Sequence, residues 1–174
     1  TCALPISVID FDSQFDGLLL VSVAFRVSST IVTILTSVLF QGMAGIVRKL
    51  ISSGPCVGAY SPGVLVDHTL YISGQIGLDA SSNCLVAGGV ENEAKKALEN
   101  MGDILKAAGC SYNNVVKTTV LLTDLNDTPI INKLYGHYFQ GCFPARACYQ
   151  VSALPKGASV EIEAIAVVAN IVDR

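Results

Sequence analysis

Phe143-Pro144-Ala145-Arg146-Ala147-Cys148-Tyr149-Gln150-Val151 and Ser159-Val160-Glu161-Ile162-Glu163-Ala164-Ile165-Ala166 are the stretches whose reading decides the fold. Each reads as a β-strand, and Leu154-Pro155-Lys156-Gly157 between them reads as a tight connection. Side chains alternate across a strand, so Val160, Ile162, Ala164 and Ala166 share one face. Glu161, Glu163, Ile165 and Val167 share the other. In the first strand Arg146, Cys148 and Gln150 lie opposite Ala145, Ala147 and Tyr149. The arginine and the glutamate sit among residues expected to be buried. A buried charge is costly unless it is paired or faces a ligand. If the two strands form a hairpin turning near Pro155-Lys156, Arg146 faces about residue 165, and it stands roughly 13 Å along the strand from Glu161 at 3.3 Å per residue. That spacing disfavours a direct salt bridge within one hairpin. An intervening ligand, a different register and a neighbouring subunit are the alternatives.

Working outward, Ile46–Ile51 is a short strand candidate, followed by a turn-rich loop through Gly58-Ala59-Tyr60-Ser61-Pro62. Gly63–Val66 and Thr69–Ser73 form a predicted hairpin turning at Asp67-His68. The glycine in Ser73-Gly74-Gln75 marks a bulge or a place where something approaches the backbone closely. Asp79 to Asn83 is a turn. Ala94, Ala97, Leu98, Met101, Ile104, Leu105 and Ala108 recur at helical spacing, which predicts a helix over 90–108 stopped by Gly109. Glu91, Glu93, Lys95, Lys96 and Glu99 fall on its expected wet side. Val115–Thr123 is a β-branched strand, and Asp127 is placed to cap a second helix, Thr128–Phe139, with Pro129 in its first turn. The order β-β-β-α-β-α-β-β gives an α+β fold, with both helices on one face of a single sheet. Ile165 and Val167 are then too apolar for a solvated second face, so a second subunit is expected to cover it.

Composition narrows the function classes. Half of the 174 residues are hydrophobic (51%) and 14% are charged, which is ample for a core and excludes bulk disorder. A net charge of −3 without a basic run gives no footing for strong backbone-driven nucleic-acid binding. Cys2, Cys56, Cys84, Cys110, Cys142 and Cys148 are scattered, and only His68 and His137 accompany them, so neither a zinc site nor a disulfide framework is expected. Free thiols in a reducing compartment follow. The expected location is cytoplasmic, with the mitochondrion as a second site. Residues 1–42 do not match the rest: 17–40 is apolar and long enough to span a bilayer, but it contains Arg26 and follows Asp10, Asp12 and Asp16. The expectation is an extension outside the fold, with Met43 as the natural start and 43–174 as the folded domain. A membrane anchor is the alternative.

The candidate chemistry is small-acid chemistry. Arg146, among small residues, can offer a planar fork to a carboxylate or pair across the sheet. Glu161 can be its partner or a base that positions water. Cys148 has no histidine close in sequence and is assigned to pocket lining rather than to nucleophilic attack. Tyr60 can serve as a lid, a hydrogen-bond donor or a loop anchor. No phosphate loop, dinucleotide fingerprint or metal motif is present, and the two histidines are assigned to the surface.

Tyr71-Ile72-Ser73-Gly74-Gln75-Ile76-Gly77, Asn100–Gly109, Val116-Lys117-Thr118-Thr119-Val120, Phe143–Cys148, Leu154-Pro155-Lys156-Gly157 and Glu161-Ile162-Glu163-Ala164 occur in the order seen in the RidA (YjgF) family of reactive-intermediate deaminases. From about residue 45 to 170 the chain resembles that family, and in particular its animal heat-responsive, perchloric-acid-soluble members. The resemblance implies a chorismate-mutase-like single mixed sheet assembled as a homotrimer with clefts between subunits. It implies hydrolysis of enamine/imine intermediates such as 2-aminoacrylate or 2-iminopropionate to 2-keto acids and ammonia, without metal or organic cofactor. By the same resemblance Arg146 would hold the substrate carboxylate and Glu161 would position water. Tyr60, Ser73, Gly74 and Cys148 would line the pocket, with Asn132 near the cleft. The family loop Gly-Pro-Tyr-Ser-Gln is Gly58-Ala59-Tyr60-Ser61-Pro62 here, which frees the backbone before Tyr60 and restricts Ser61 instead. The other readings are a single-stranded RNA endoribonuclease acting as a translation inhibitor, and a non-catalytic ligand-sensing trimer. The acidic balance and the arginine–glutamate pair suit a small acid better than RNA.

Overall fold

The computed structural model describes residues 45–52, 58–141 and 143–172. The expectations for residues 1–42 and Met43, and for Cys2, Cys56 and Cys142, lie outside these. Among the described residues no helix is long and apolar enough to cross a membrane.

The strands are β1 (Arg48–Ile51), β2 (Gly63–Val66), β3 (Thr69–Ile76), β4 (Leu78–Asp79), β5 (Cys84–Leu85), β6 (Val115–Leu122), β7 (Ala145–Gln150) and β8 (Val160–Val167). The helices are α1 (Gly89–Ala107) and α2 (Thr128–Tyr138). Six strands form one mixed sheet in the order β1-β2-β3-β8-β6-β7, and β4 pairs with β5 in a small separate hairpin around the Asp79–Asn83 turn. The β2–β3 turn is at Asp67, whose backbone takes the left-handed conformation (φ 51°). Gly109, at φ 83°, ends the first helix where a side chain would be strained.

Alternation holds along the strands except at two register shifts, between Ile72 and Gln75 in β3 and between Val115 and Lys117 in β6. Leu70, Ile72, Val120, Leu122, Val160, Ile162, Ala164 and Ala166 are buried on the helix side of the sheet. They pack with Ala94, Ala97, Leu98, Met101, Ile104 and Leu105 of α1 and Ile131, Leu134 and Tyr135 of α2 in one core. At roughly 1.5–3 kcal/mol for each fully buried large side chain, this layer is the main source of stability.

Three expectations are corrected. The first is the hairpin between the two deciding strands. β6 lies between β7 and β8, pairing parallel with β7 (Arg146 beside Thr118) and antiparallel with β8 (Thr118 beside Ala164). A parallel pair requires a long crossover, and α2 supplies it between β6 and β7. The nine residues between Gln150 and Val160 then carry the chain across β6, leaving β7 as an edge. The second is Glu93, which is buried rather than wet. Its carboxylate accepts hydrogen bonds from the Ser159 backbone N–H (2.7 Å) and hydroxyl (3.1 Å), tying α1 to the start of β8. The third is Asp127, whose side chain makes no cap bond. Asp124 acts one turn earlier, accepting from the Asn126 N–H at 2.9 Å and nucleating a 3-10 turn that leads into α2.

Candidate active site

Sheet alternation and strand order place the expected site residues in two groups. The first begins at the bulge in β3. Ile72 pairs with Ala164 but Gln75 pairs with Ile162, so Ser73 and Gly74 together occupy the space of one residue on β8. The bulge is tied down locally. The Ser73 hydroxyl donates to the Ser61 carbonyl (2.7 Å), and the Ser73 N–H donates to the Pro62 carbonyl (3.0 Å). The Gln75 amide donates to the Ser73 carbonyl (2.9 Å). The Glu161 side chain lies directly over Gly74: a Cβ there would stand 2.7 Å from the Glu161 carboxyl carbon and collide with Oε1. Glycine at 74 is thus what lets the carboxylate lie against the backbone. Burial, and then the charge of Glu163 two residues on, push the Glu161 carboxyl above its ordinary value. Tyr60 is exposed in the loop that Ser73 anchors, with its ring packed near Gly58.

The second group is on β7 and α2. Arg146 is exposed on the edge strand, so the expectation that it is buried is corrected; an edge strand has a neighbour on one side only. Its Nη2 donates to Asn132 Oδ1 at 2.7 Å, and its guanidinium carbon lies 4.9 Å from the centre of the Tyr135 ring. Cys148, a half-buried free thiol, follows on the same face of β7. Asn132 and Tyr135 are three residues apart on α2, which puts both on the flank facing Arg146.

Arg146 is in register with Ala164, whereas Glu161 is three residues further along β8 and so points to the opposite face. Two strand spacings and three residues separate them, roughly 14 Å. One copy of the chain therefore does not bring the two together. The exposed His68 and His137 belong to neither group, in line with their surface assignment. Among the described residues no cluster of histidine, cysteine and carboxylate is spaced to hold a metal ion. The sequence reading missed Tyr135 and the Gly74–Glu161 contact. Helical spacing from Asn132 could have pointed to the first; the second depends on a strand pairing that no local pattern encodes.

The face on which Glu161 lies is open. Leu50, Val64, Tyr71, Ile165 and Lys117 form one row across five strands. A cavity of about 300 Å³ opens there between Val64, Tyr71, Ser73, Lys117, Thr119 and Glu163.

The family profile described as Endoribonuclease L-PSP matches residues 52–168. The chain belongs to this family. A curated relative from Rattus norvegicus, 2-iminobutanoate/2-iminopropanoate deaminase, is 62% identical over 128 residues, covering 72% of this chain and 93% of the relative. RidA from the Antarctic bacterium Psychrobacter superposes with a TM-score of 0.66 at 43% identity, covering 68% of this chain and 98% of its own. Escherichia coli TdcF, solved with bound serine, gives 0.65 at 40% identity over the same shares. The family resemblance in the sequence thus agrees with both the sequence relatives and the fold.

Proposed function

We propose that this chain is a hydrolytic deaminase of reactive enamine/imine intermediates of the 2-aminoacrylate/2-iminopropionate type, working as a homotrimer with its active sites between subunits. The observation that carries the assembly is the placement of Arg146 and Glu161 on opposite faces of one sheet. A small imino acid can meet both only if a second copy supplies one of them. The open face, with Tyr71 and Tyr149 half exposed or more, is apolar enough to be that interface. The named deaminase among its relatives supports the substrate class.

In this reading Arg146, held by Asn132, takes the substrate carboxylate in a charge-assisted pair. Glu161, over Gly74, holds the water. The imine carbon is already electrophilic, so the site needs to orient and protonate more than to activate. Water adds to the C=N carbon and gives up a proton to Glu161, and solvent supplies a proton to nitrogen. The carbinolamine then loses its C–N bond: ammonia leaves with the proton returned by Glu161, and the hydroxyl releases its proton to solvent as it becomes the ketone of the 2-keto acid. Imine plus water gives ketone plus ammonia, with no redox change. Ser73 and Cys148 line the pocket, and Tyr60 closes it from its loop. The reaction uses no metal or organic cofactor. The free thiols of Cys84, Cys110 and Cys148 support a cytoplasmic location for this scavenging of small metabolites.

The test is subunit complementation. Arg146→Ala and Glu161→Gln homotrimers are each expected to be inactive on 2-iminopropionate. Trimers reassembled from an equal mixture should regain about a quarter of wild-type activity, the random-mixing value for sites shared between neighbours in a closed ring. Mixed trimers that form and show no recovery would overturn the shared site. Wild type that degrades RNA and leaves the imine untouched would favour the endoribonuclease reading.

A further inference from the structure

We propose that Tyr135 is a positioning residue for the reaction, its ring acting as the platform that sets the plane of the Arg146 guanidinium. This rests on the reading of Arg146 as the carboxylate-binding group. A long arginine on an exposed edge strand has many rotamers, and holding one for a carboxylate costs side-chain entropy unless the protein restricts it beforehand. The restraint here has two parts at right angles to one another in function. Asn132 Oδ1 fixes one edge of the guanidinium by a 2.7 Å hydrogen bond. The Tyr135 ring, 4.9 Å from the guanidinium carbon, supports the group as a cation–π platform.

The platform itself is fixed. Tyr135 is 4% exposed and packs on Phe139 with ring centres 4.8 Å apart, and Phe139 is buried in the core. Asn132 is exposed by contrast, so the tyrosine is the rigid member of the pair. The Tyr135 and Thr118 hydroxyls are both buried without a hydrogen bond of good geometry. Burial raises the phenol's proton affinity, while the nearby Thr118 hydroxyl and the Arg146 charge lower it. The phenol therefore stays neutral near pH 7. A hydroxyl that makes no well-formed bond is not what holds Arg146, so the role belongs to the ring. That separates two substitutions that a purely structural tyrosine would not separate by substrate affinity.

Tyr135→Phe keeps the ring and removes an unsatisfied hydroxyl; Tyr135→Met fills the space without a ring. The expected result is a KM for 2-iminopropionate within about twofold of wild type for Tyr135→Phe, and a rise of about three- to tenfold for Tyr135→Met with kcat little changed. Benzoate, as a non-reacting carboxylate, should lose affinity by the same factor. Fluorinated phenylalanines at position 135 weaken the ring's negative face without changing its shape, and so keep the test decisive if Tyr135→Met does not fold. KM should climb with fluorine count. A KM that stays flat across the fluorine series, or a Tyr135→Phe loss as large as that of Tyr135→Met, would overturn the proposal. Arg146→Ala in the same assay separates the two levels. If it hydrolyses like wild type, the site reading fails; if it is inactive while ring-deficient variants behave as wild type, only the platform fails.

Discussion

The two faces of the six-stranded sheet come from the same strands by the same alternation, yet they have opposite fates. On the helix side Leu70, Val120 and Ile162 are fully buried under α1 and α2. On the other, Tyr71 keeps 50% of its surface and Tyr149 58%, although both are as bulky as anything in the core. A solvated face would place charges at those positions. Large apolar groups left uncovered by a chain's own helices are what the proposed assembly would bury. The comparison also explains the charges. Glu161 is on the uncovered face, partly desolvated already by its own sheet; Arg146 is on the covered side, but at an edge where α2 supports it without enclosing it.

The sharpest way to break this comparison is Arg146→Ala. On its proposed role as the holder of the substrate carboxylate, its removal is expected to lower kcat/KM about a thousandfold with the assembly intact by light scattering. Activity near that of wild type would detach the edge strand from the chemistry.

Glu161→Gln should lower kcat about a hundredfold and remove the acidic limb of the pH–rate profile. In the wild type that limb should lie above the ordinary glutamate value of 4.5, because burial and Glu163 both resist ionisation. The folded state then binds this proton more tightly than the unfolded chain does. The stabilisation it brings is fully present below the ordinary value and is lost as pH rises through the raised one. Replacing Glu161 by glutamine should therefore leave the melting temperature higher than wild type at pH 7, with the gap closing toward pH 4. A gap that widens on acidification would contradict the desolvated placement.

Smaller still is Gly74→Ala. The added Cβ meets the Glu161 carboxylate, which can swing away, so the fold should survive while kcat falls about tenfold. Unchanged kcat would show that the carboxylate works away from the bulge.

Much of this was legible in the residues. The faces of β8 followed from Val160, Ile162, Ala164 and Ala166, and α1 from its apolar spacing to within one residue at each end. The glycine in Ser73-Gly74-Gln75 pointed to a bulge or a close approach, and the structure contains both. Periodicity reports local conformation, which is why these readings held. Glu93 was misread because helical spacing gives an angle around the axis and not what lies beyond it: Ser159, 66 positions away, makes a home for that carboxylate.

Strand order was the largest quantity that periodicity did not contain. Alternation settles which face each side chain takes, and it is the same whichever strand lies alongside. Whether β8 pairs with β7 or slips between β3 and β6 depends on contacts between residues far apart in the chain and on how the α2 crossover packs. That choice separated Arg146 from Glu161 across the thickness of the sheet. The chain thus carries Arg146 and Glu161 in its local pattern, and the long-range packing of its strands sets them on opposite sides of the sheet.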